Sequence, residues 1–522
     1  MKATTSSSLL VLELDDGKQR LFRLLEQVHR QQPQSIESVR IEYLGEEGGI
    51  VLDQDVLLQL CQEIGNLPNV QELILQFTHE APPLSITALE RLMNITCTTE
   101  TETAATIKTQ LHHYQHLEYL HLNRVKLVGT VQDFDAFGQV LSQNKSITKV
   151  NLHSSSSLLL PTTVTDTNFA AENIESNIND SYGMNVLLQT LVQLPNLTSL
   201  HLDDLSNLSQ RVLVAICQSP NLTLLELWNM SHDVNQHGTA MARVLASNNC
   251  LQELEISSNL QYEAGQAMIN MLRTNTCLQT LGLDLDYVDG FGEAFASVFH
   301  SQRIKKRRTK TSALKTLHLR MVQAEPNVEG AHNNNVEHAE EVDAILSNTN
   351  NDDNNNDHDV TDSNEKPQSQ ALANILCIIR ALETNVTLEH LHMNFYHLGP
   401  DYVCSKLDRA FSNLLEKNFM LQHMSLRGCH TFVRLQHDPD IGFKLQLNQA
   451  GRYHLLMGGQ NYGDGNSDDV VDDDVGVDED EPKEEGTMAP KEDWVKTITQ
   501  FKEDISISFY LLSMNPSLCS KF

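Results

Sequence analysis

The chain has 522 residues, 40% of them hydrophobic, and a formal net charge of −32. That length and apolar content suffice for a large core, and they exclude a collagen-like or wholly disordered chain. The acidic balance argues against nucleic acid as a partner, because phosphate contacts need clustered Lys and Arg.

In chain order, "MKATTSSSLLVLELDDGKQR" is polar before "LLVLEL" and acidic after it. Its apolar core is too short for a signal peptide, and no apolar run elsewhere approaches a membrane span. Residues 1–33 are expected to be an N-terminal capping segment. From residue 34 a pattern L-x-x-L-x-[LI] begins and recurs. The copies are Ile36/Val39/Ile41, Val70/Leu73/Leu75, Leu117/Leu120/Leu122, Ile147/Val150/Leu152 and Leu197/Leu200/Leu202. They continue at Leu222/Leu225/Leu227, Leu251/Leu254/Ile256, Leu278/Leu281/Leu283, Leu314/Leu317/Leu319, Leu388/Leu391/Met393 and Leu421/Met424/Leu426.

The last two anchors of each copy are two positions apart, which places them on one face of a short strand. Between copies, segments such as "HGTAMARVLASN" and "EAGQAMINMLRTN" carry apolar residues at helical spacing. A unit of one short strand and one helix cannot bury its own apolar face; only neighbouring units can cover it. The expected fold is therefore an α/β solenoid over about 34–430, with a parallel sheet on the concave face and helices on the convex face.

The segments "VLASNNCLQELEI", "MLRTNTCLQTLGL", "VLSQNKSITKVNL" and "ALETNVTLEHLHM" resemble the ribonuclease-inhibitor type of leucine-rich repeat. One departure matters. The Asn or Cys of that type, three positions past the last anchor, is clear only at Asn259 and Cys429, while Met230 and Asp286 stand there in other copies. "LQLNQAGRYHLL", Trp494 and "FYLLSMNPSLC" resemble the closing segment of largely uncharacterised algal leucine-rich-repeat families. The resemblance implies that 431–522 caps the last unit and implies no chemistry.

Residues 325–365 and 463–486 together carry −23 of the net charge. Such polar, acidic stretches lack the apolar surface to offset ordering entropy, so 323–368 and 463–490 are expected to be disordered insertions. Smaller insertions are expected at about 79–112, 153–182 and 301–312. The nine cysteines include no C-x-x-C pair, which fits a reducing compartment and a cytoplasmic location. Cys250 and Cys277 hold equivalent repeat positions and should stack as core or edge residues. The sequons at Asn196 and Asn221 arise from the repeat template. "IKKRRTK" holds a basic run, Lys305 to Arg308, that leaves nuclear import open as an alternative to a solvated loop.

No phosphate-binding G-x-x-x-x-G-K-[ST] loop, G-x-S-x-G elbow, H-E-x-x-H pair or zinc-spaced Cys/His set occurs. The expectation is a non-enzymatic scaffold with no cofactor, no bound metal, and neither nucleic acid nor membrane as partner. A regulatory or adaptor subunit that tethers or inhibits an enzyme or ubiquitin ligase is the alternative. The protein partner should lie on the concave face. There, alternation turns Asp203, Glu226, Trp228, Glu253, Glu255 and Asp284 outward in the middle strands, and His318, Arg320, His392 and Arg427 outward in the later ones. Trp and Arg are common binding anchors, so the expected contact is an acidic patch centred on Trp228. The column holding His318 and His392, and the pair His390 and His423 beside it, also admits pH-dependent binding.

Overall fold

The computed structural model describes residues 3–6, 9–14, 36–43, 54–65, 67, 69–78, 81, 83–93, 116–153, 176–286, 290–305, 313–322, 365–383, 385–395, 404–427 and 439–449. The acidic stretch 463–490, the closing segment 505–522, Trp494, Cys429 and residues 306–312 lie outside them, as does nearly all of 323–368. Strands in chain order are β1 (Ala3–Ser6), β2 (Leu9–Leu14), β3 (Ser38–Tyr43), β4 (Glu72–Phe77), β5 (Leu84–Ser85), β6 (Tyr119–Asn123), β7 (Leu127–Val128) and β8 (Lys149–His153). Then come β9 (Ser199–Asp203), β10 (Leu224–Trp228), β11 (Glu253–Leu260), β12 (Thr280–Asp286), β13 (Thr316–Val322), β14 (His390–Phe395) and β15 (His423–Arg427). Helices are α1 (Gln54–Gly65), α2 (Ile86–Leu92), α3 (Val131–Leu141), α4 (Ser176–Leu191), α5 (Gln210–Gln218), α6 (Ser231–Leu245), α7 (Tyr262–Met271), α8 (Phe291–Lys305), α9 (Glu365–Leu382), α10 (Cys404–Lys417) and α11 (Pro439–Gln449).

Every copy of the apolar pattern forms a strand, and all of them join one sheet in the order β1-β2-β3-β4-β6-β8-β9-β10-β11-β12-β13-β14-β15. Neighbours from β2 onward pair in parallel, with anchor opposite anchor: Leu200 faces Leu225, which faces Leu254, which faces Leu281. These leucines are fully buried, and each removes from water an amount of apolar surface that stabilises by about 2 kcal/mol. Helices pack side by side more widely (about 9 Å) than strands (about 4.8 Å), so the stack curves with the sheet on the inside.

The sheet starts earlier than the pattern does. Within the segment expected to cap the solenoid, β2 sets Leu10 and Leu12 opposite Val39 and Ile41. Ser7 stands where the lead anchor would be, which hides this strand from the pattern. On its other side β2 pairs antiparallel with β1. A correction also falls on the insertion expected at 79–112. Residues 84–93 form β5 and α2, and Leu84, Ile86, Leu89 and Leu92 are each 1% exposed. Their apolar spacing is helical, but the polar residues on both sides mask it. Likewise α4 begins at Ser176, α8 runs to Lys305 and His153 closes β8, so the insertions expected at 153–182 and 301–312 are shorter than assigned.

The recurring Asn at the helix ends acts as a latch. Asn275 Oδ1 accepts from the backbone N–H groups of Cys277 and Leu278, fixing the turn into β12. Its Nδ2 donates to Leu245 O and Asn248 O of the preceding unit. Asn248 and Asn418 repeat the arrangement, and Asn144 and Asn385 repeat its turn-fixing half. The sequon residues serve the same stacking. Asn221 donates to Pro195 O, and Thr223 Oγ1 donates to Thr198 O.

Helix stacking depends on a second periodic residue. Gly238, Gly265 and Gly292 recur at one constant spacing, on consecutive helices α6, α7 and α8. A Cβ at Gly265 would lie 2.6 Å from the Phe291 ring, and one at Gly238 would lie 2.7 Å from Ala264 Cβ. Each glycine lets the next helix approach. Cys250 and Cys277 are free and half-buried, whereas burial pushes the thiols of Cys61 and Cys217 up to about 12.

Candidate functional site: the open sheet face

Because strand residues alternate, the side chains between the buried anchors form columns across the open face. The register places Arg40, Ile74, His121, Asn151, His201, Glu226, Glu255, Gly282, His318, His392 and Ser425 in one continuous column. A column on one side of it holds His153, Asp203, Trp228 and Ser257, and after an irregularity in β11, Asp284, Arg320, Asn394 and Arg427. On the other side stand Glu253, Thr280, Thr316, His390 and His423. The residues singled out from the sequence fall in these three columns.

The face is not uniformly available. Asp203 and Asp284 were expected to be presented to a partner, but they are only 6% and 9% exposed. Asp203 pairs with His153 and accepts from Asn229 Nδ2 at 2.8 Å. Asp284 Oδ2 accepts from Ser257 Oγ and from Arg320 Nη1, each at 3.1 Å. Their neighbours on the sheet use these carboxylates first, which alternation alone does not reveal. Asn229 explains part of this: like Arg124 and Asp204 it sits just past a strand with a positive φ, 53° in its case. That turn aims its side chain back at Asp203.

Trp228 is half-buried. Its ring meets His201 edge-on with centroids 4.7 Å apart, and its buried Nε1 has no acceptor. The ring surface, not the N–H, is therefore what Trp228 offers. His201 Nδ1 in turn lies 2.7 Å from Glu226 Oε2. Glu253 is exposed at the start of β11. Burial raises the Glu255 carboxyl above its ordinary range, the Glu226 charge adds to this, and Arg320 and His201 oppose it. Asp284 is raised to about 6, chiefly by burial, although Arg320 and Ser257 pull the other way.

The later strands invert the chemistry. His318 and His392 meet edge-on with centroids 4.5 Å apart, and His390 stacks on His423 at 4.8 Å, the rings nearly parallel. His392 is lowered to about 4, chiefly by burial and then by the neighbouring His318, His390, Arg427 and His423. His318 and His390 are also lowered, mainly by burial. Between the two regions Gly282 leaves a gap in the column, the floor of a recess of about 210 Å³. Glu255 and Asp284 form one wall, and His318, His392 and Arg427 the other. A Cβ on Gly282 would sit 2.9 Å from Glu255 Cγ. Ser257, Asn394 and His153 belong to this surface but carried no signal of their own; only the column position could have found them. Among the described residues no group of three or more His, Cys, Asp or Glu is arranged to hold a metal ion.

A single sheet, parallel from β2 onward and backed by helices, with this face left largely polar, defines an α/β repeat solenoid like that of leucine-rich repeats. No family model matches the chain. No curated protein matches it. Solved chains do match, among them the one titled Leiomodin-1 Actin-Binding Site 2, at 14% identity and a TM-score of 0.23. That match covers 48% of this chain and 94% of the other; so distant a likeness carries nothing about partner or function. None of the helices among the described residues is long and apolar enough to cross a membrane.

Proposed function

We propose that this protein is a non-enzymatic scaffold of the ribonuclease-inhibitor-like repeat type that binds a protein partner across the open face of its sheet. The observation that supports it best is the half-open Trp228 ring on β10, one column over from Glu226 and Glu255, with Glu253 in the column beyond them. A rigid, curved surface with an aromatic anchor and a surrounding rim of charge is what hot-spot binding requires. The partner segment that meets this patch is basic, since three carboxylates on adjacent strands attract cations and repel acidic competitors.

The test compares charge reversals on the two faces. Glu253→Lys with Glu255→Lys alters the sheet face, while Glu263→Lys with Glu293→Lys alters exposed carboxylates on α7 and α8. Proteins retained by the wild-type chain should be lost at least tenfold from the first variant and kept by the second. Equal retention by both variants would sink the reading.

A further inference from the structure

The two ends of the open face differ in which charges are already used. Arg320 turns toward the acidic strands, donating to Ser257 Oγ at 2.8 Å and to Asp284 at 3.1 Å. Arg427, two strands on, is exposed and forms no ion pair among the described residues. Beside it on β14 and β15 stand His392 and Ser425, one column over, with Asn394 directly opposite Arg427. All four line the recess over Gly282. Among the described residues the site thus has one uncommitted cation, a hydroxyl and an imidazole, with space in front of them.

We propose that this end of the recess receives one carboxylate side chain of the partner, on Arg427, Ser425 and His392. The partner segment is then dipolar: basic over Glu253 and Glu255, acidic over Arg427. This deepens the scaffold reading and rests on it. A carboxylate fits better than a phosphoryl group because, among the described residues, the recess offers one guanidinium without an ion pair. Burial disfavours the charged forms of His318 and His392, and Glu255 and Asp284 line the opposite wall, so a second negative charge would meet repulsion. Four strand spacings separate β11 from β15, about 19 Å, which an extended segment crosses in about six residues.

The experiment selects binders to the full chain from a displayed random dodecapeptide library at pH 7.5 and low salt. Enriched peptides should carry Lys or Arg and Asp or Glu about six residues apart. A synthetic peptide of that kind should bind Arg427→Glu at least tenfold more weakly, and replacing its acid by Lys should restore affinity to that variant. Arg427→Gln, which removes the charge without reversing it, serves if the reversal disturbs folding. Enriched peptides without an acid, or affinity for Arg427→Glu within twofold of wild type, would overturn the proposal. If Glu253→Lys with Glu255→Lys weakens binding while Arg427→Glu does not, the acidic contact is wrong and the scaffold reading stands. If no peptide is enriched, or neither variant matters, both fall.

Discussion

Strands β9–β12 and strands β13–β15 share a backbone, a register and a core, yet their open faces carry contrasting chemistry. In the first group Glu226 acts on Glu255 and Glu255 on Asp284, with Glu253 in an outer column; in the second, His318 meets His392 and His390 stacks on His423, with Arg427 acting on His392. Partial burial acts on both in the same sense, against charge. It raises Glu255 and Asp284 and lowers His318, His390 and His392. A solenoid can therefore vary its surface chemistry strand by strand while its core stays constant, because column residues and anchor residues never exchange places.

The largest expected effect tests the shared core. Leu281 lies on β12, at the junction of the two regions, with no exposure. Leu281→Ala should cost about 3 kcal/mol of stability, measured by urea denaturation. Loss of structure around Trp228 and around the histidine pairs should occur in one transition. Separate transitions, seen by Trp fluorescence and histidine NMR, would show that the regions are independent units.

Next comes the anchor. Trp228→Ala should weaken partner binding by about 2 kcal/mol, since the ring is the largest apolar surface on the acidic strands. Stability should change by less, because the ring stands on the open face, edge-on to His201, and not in the core. Unaltered affinity per folded molecule, with a lowered melting temperature, would make Trp228 part of the sheet and not of the site.

A smaller effect marks the boundary. Gly282→Ala forces Glu255 to shift, because the added Cβ would lie 2.9 Å from its Cγ. The expected cost is about 1 kcal/mol, with Glu255 moved toward Glu226. A variant as stable as the wild type, with Glu255 unmoved in a crystal structure, would show that the gap is not needed by its neighbour.

The smallest effect is the pH slope, and it should have opposite signs in the two regions. Asp284 is raised in the fold, from 3.8 to about 6, so the native state holds more protons than the unfolded chain and stability declines as pH rises through that window. His392 is lowered from 6.5 to about 4, so its contribution falls as pH drops below 6.5. Both slopes are shallow, and solvent reduces them further, most for half-open His392. Asp284→Asn should therefore make the protein more acid-sensitive between pH 6 and 4, and His392→Gln less so. Parallel curves for both variants and the wild type would remove the electrostatic contrast.

What the sequence determined by itself was everything that repeats. Eleven apolar triplets became eleven strands, and their alternation placed the His318, His392, Trp228 and Arg427 positions on one face, because a period of two admits only one assignment of faces. The tertiary structure decided what happens between units. Strand β2 was hidden because Ser7 replaces its lead anchor, and α2 was hidden among polar neighbours. Whether Asp203 and Asp284 are offered or spent depended on His153, Asn229, Ser257 and Arg320, which stand on other units of the chain. Burial on a strand follows from local alternation, but partnership across strands follows from register, and register exists only once the units are stacked.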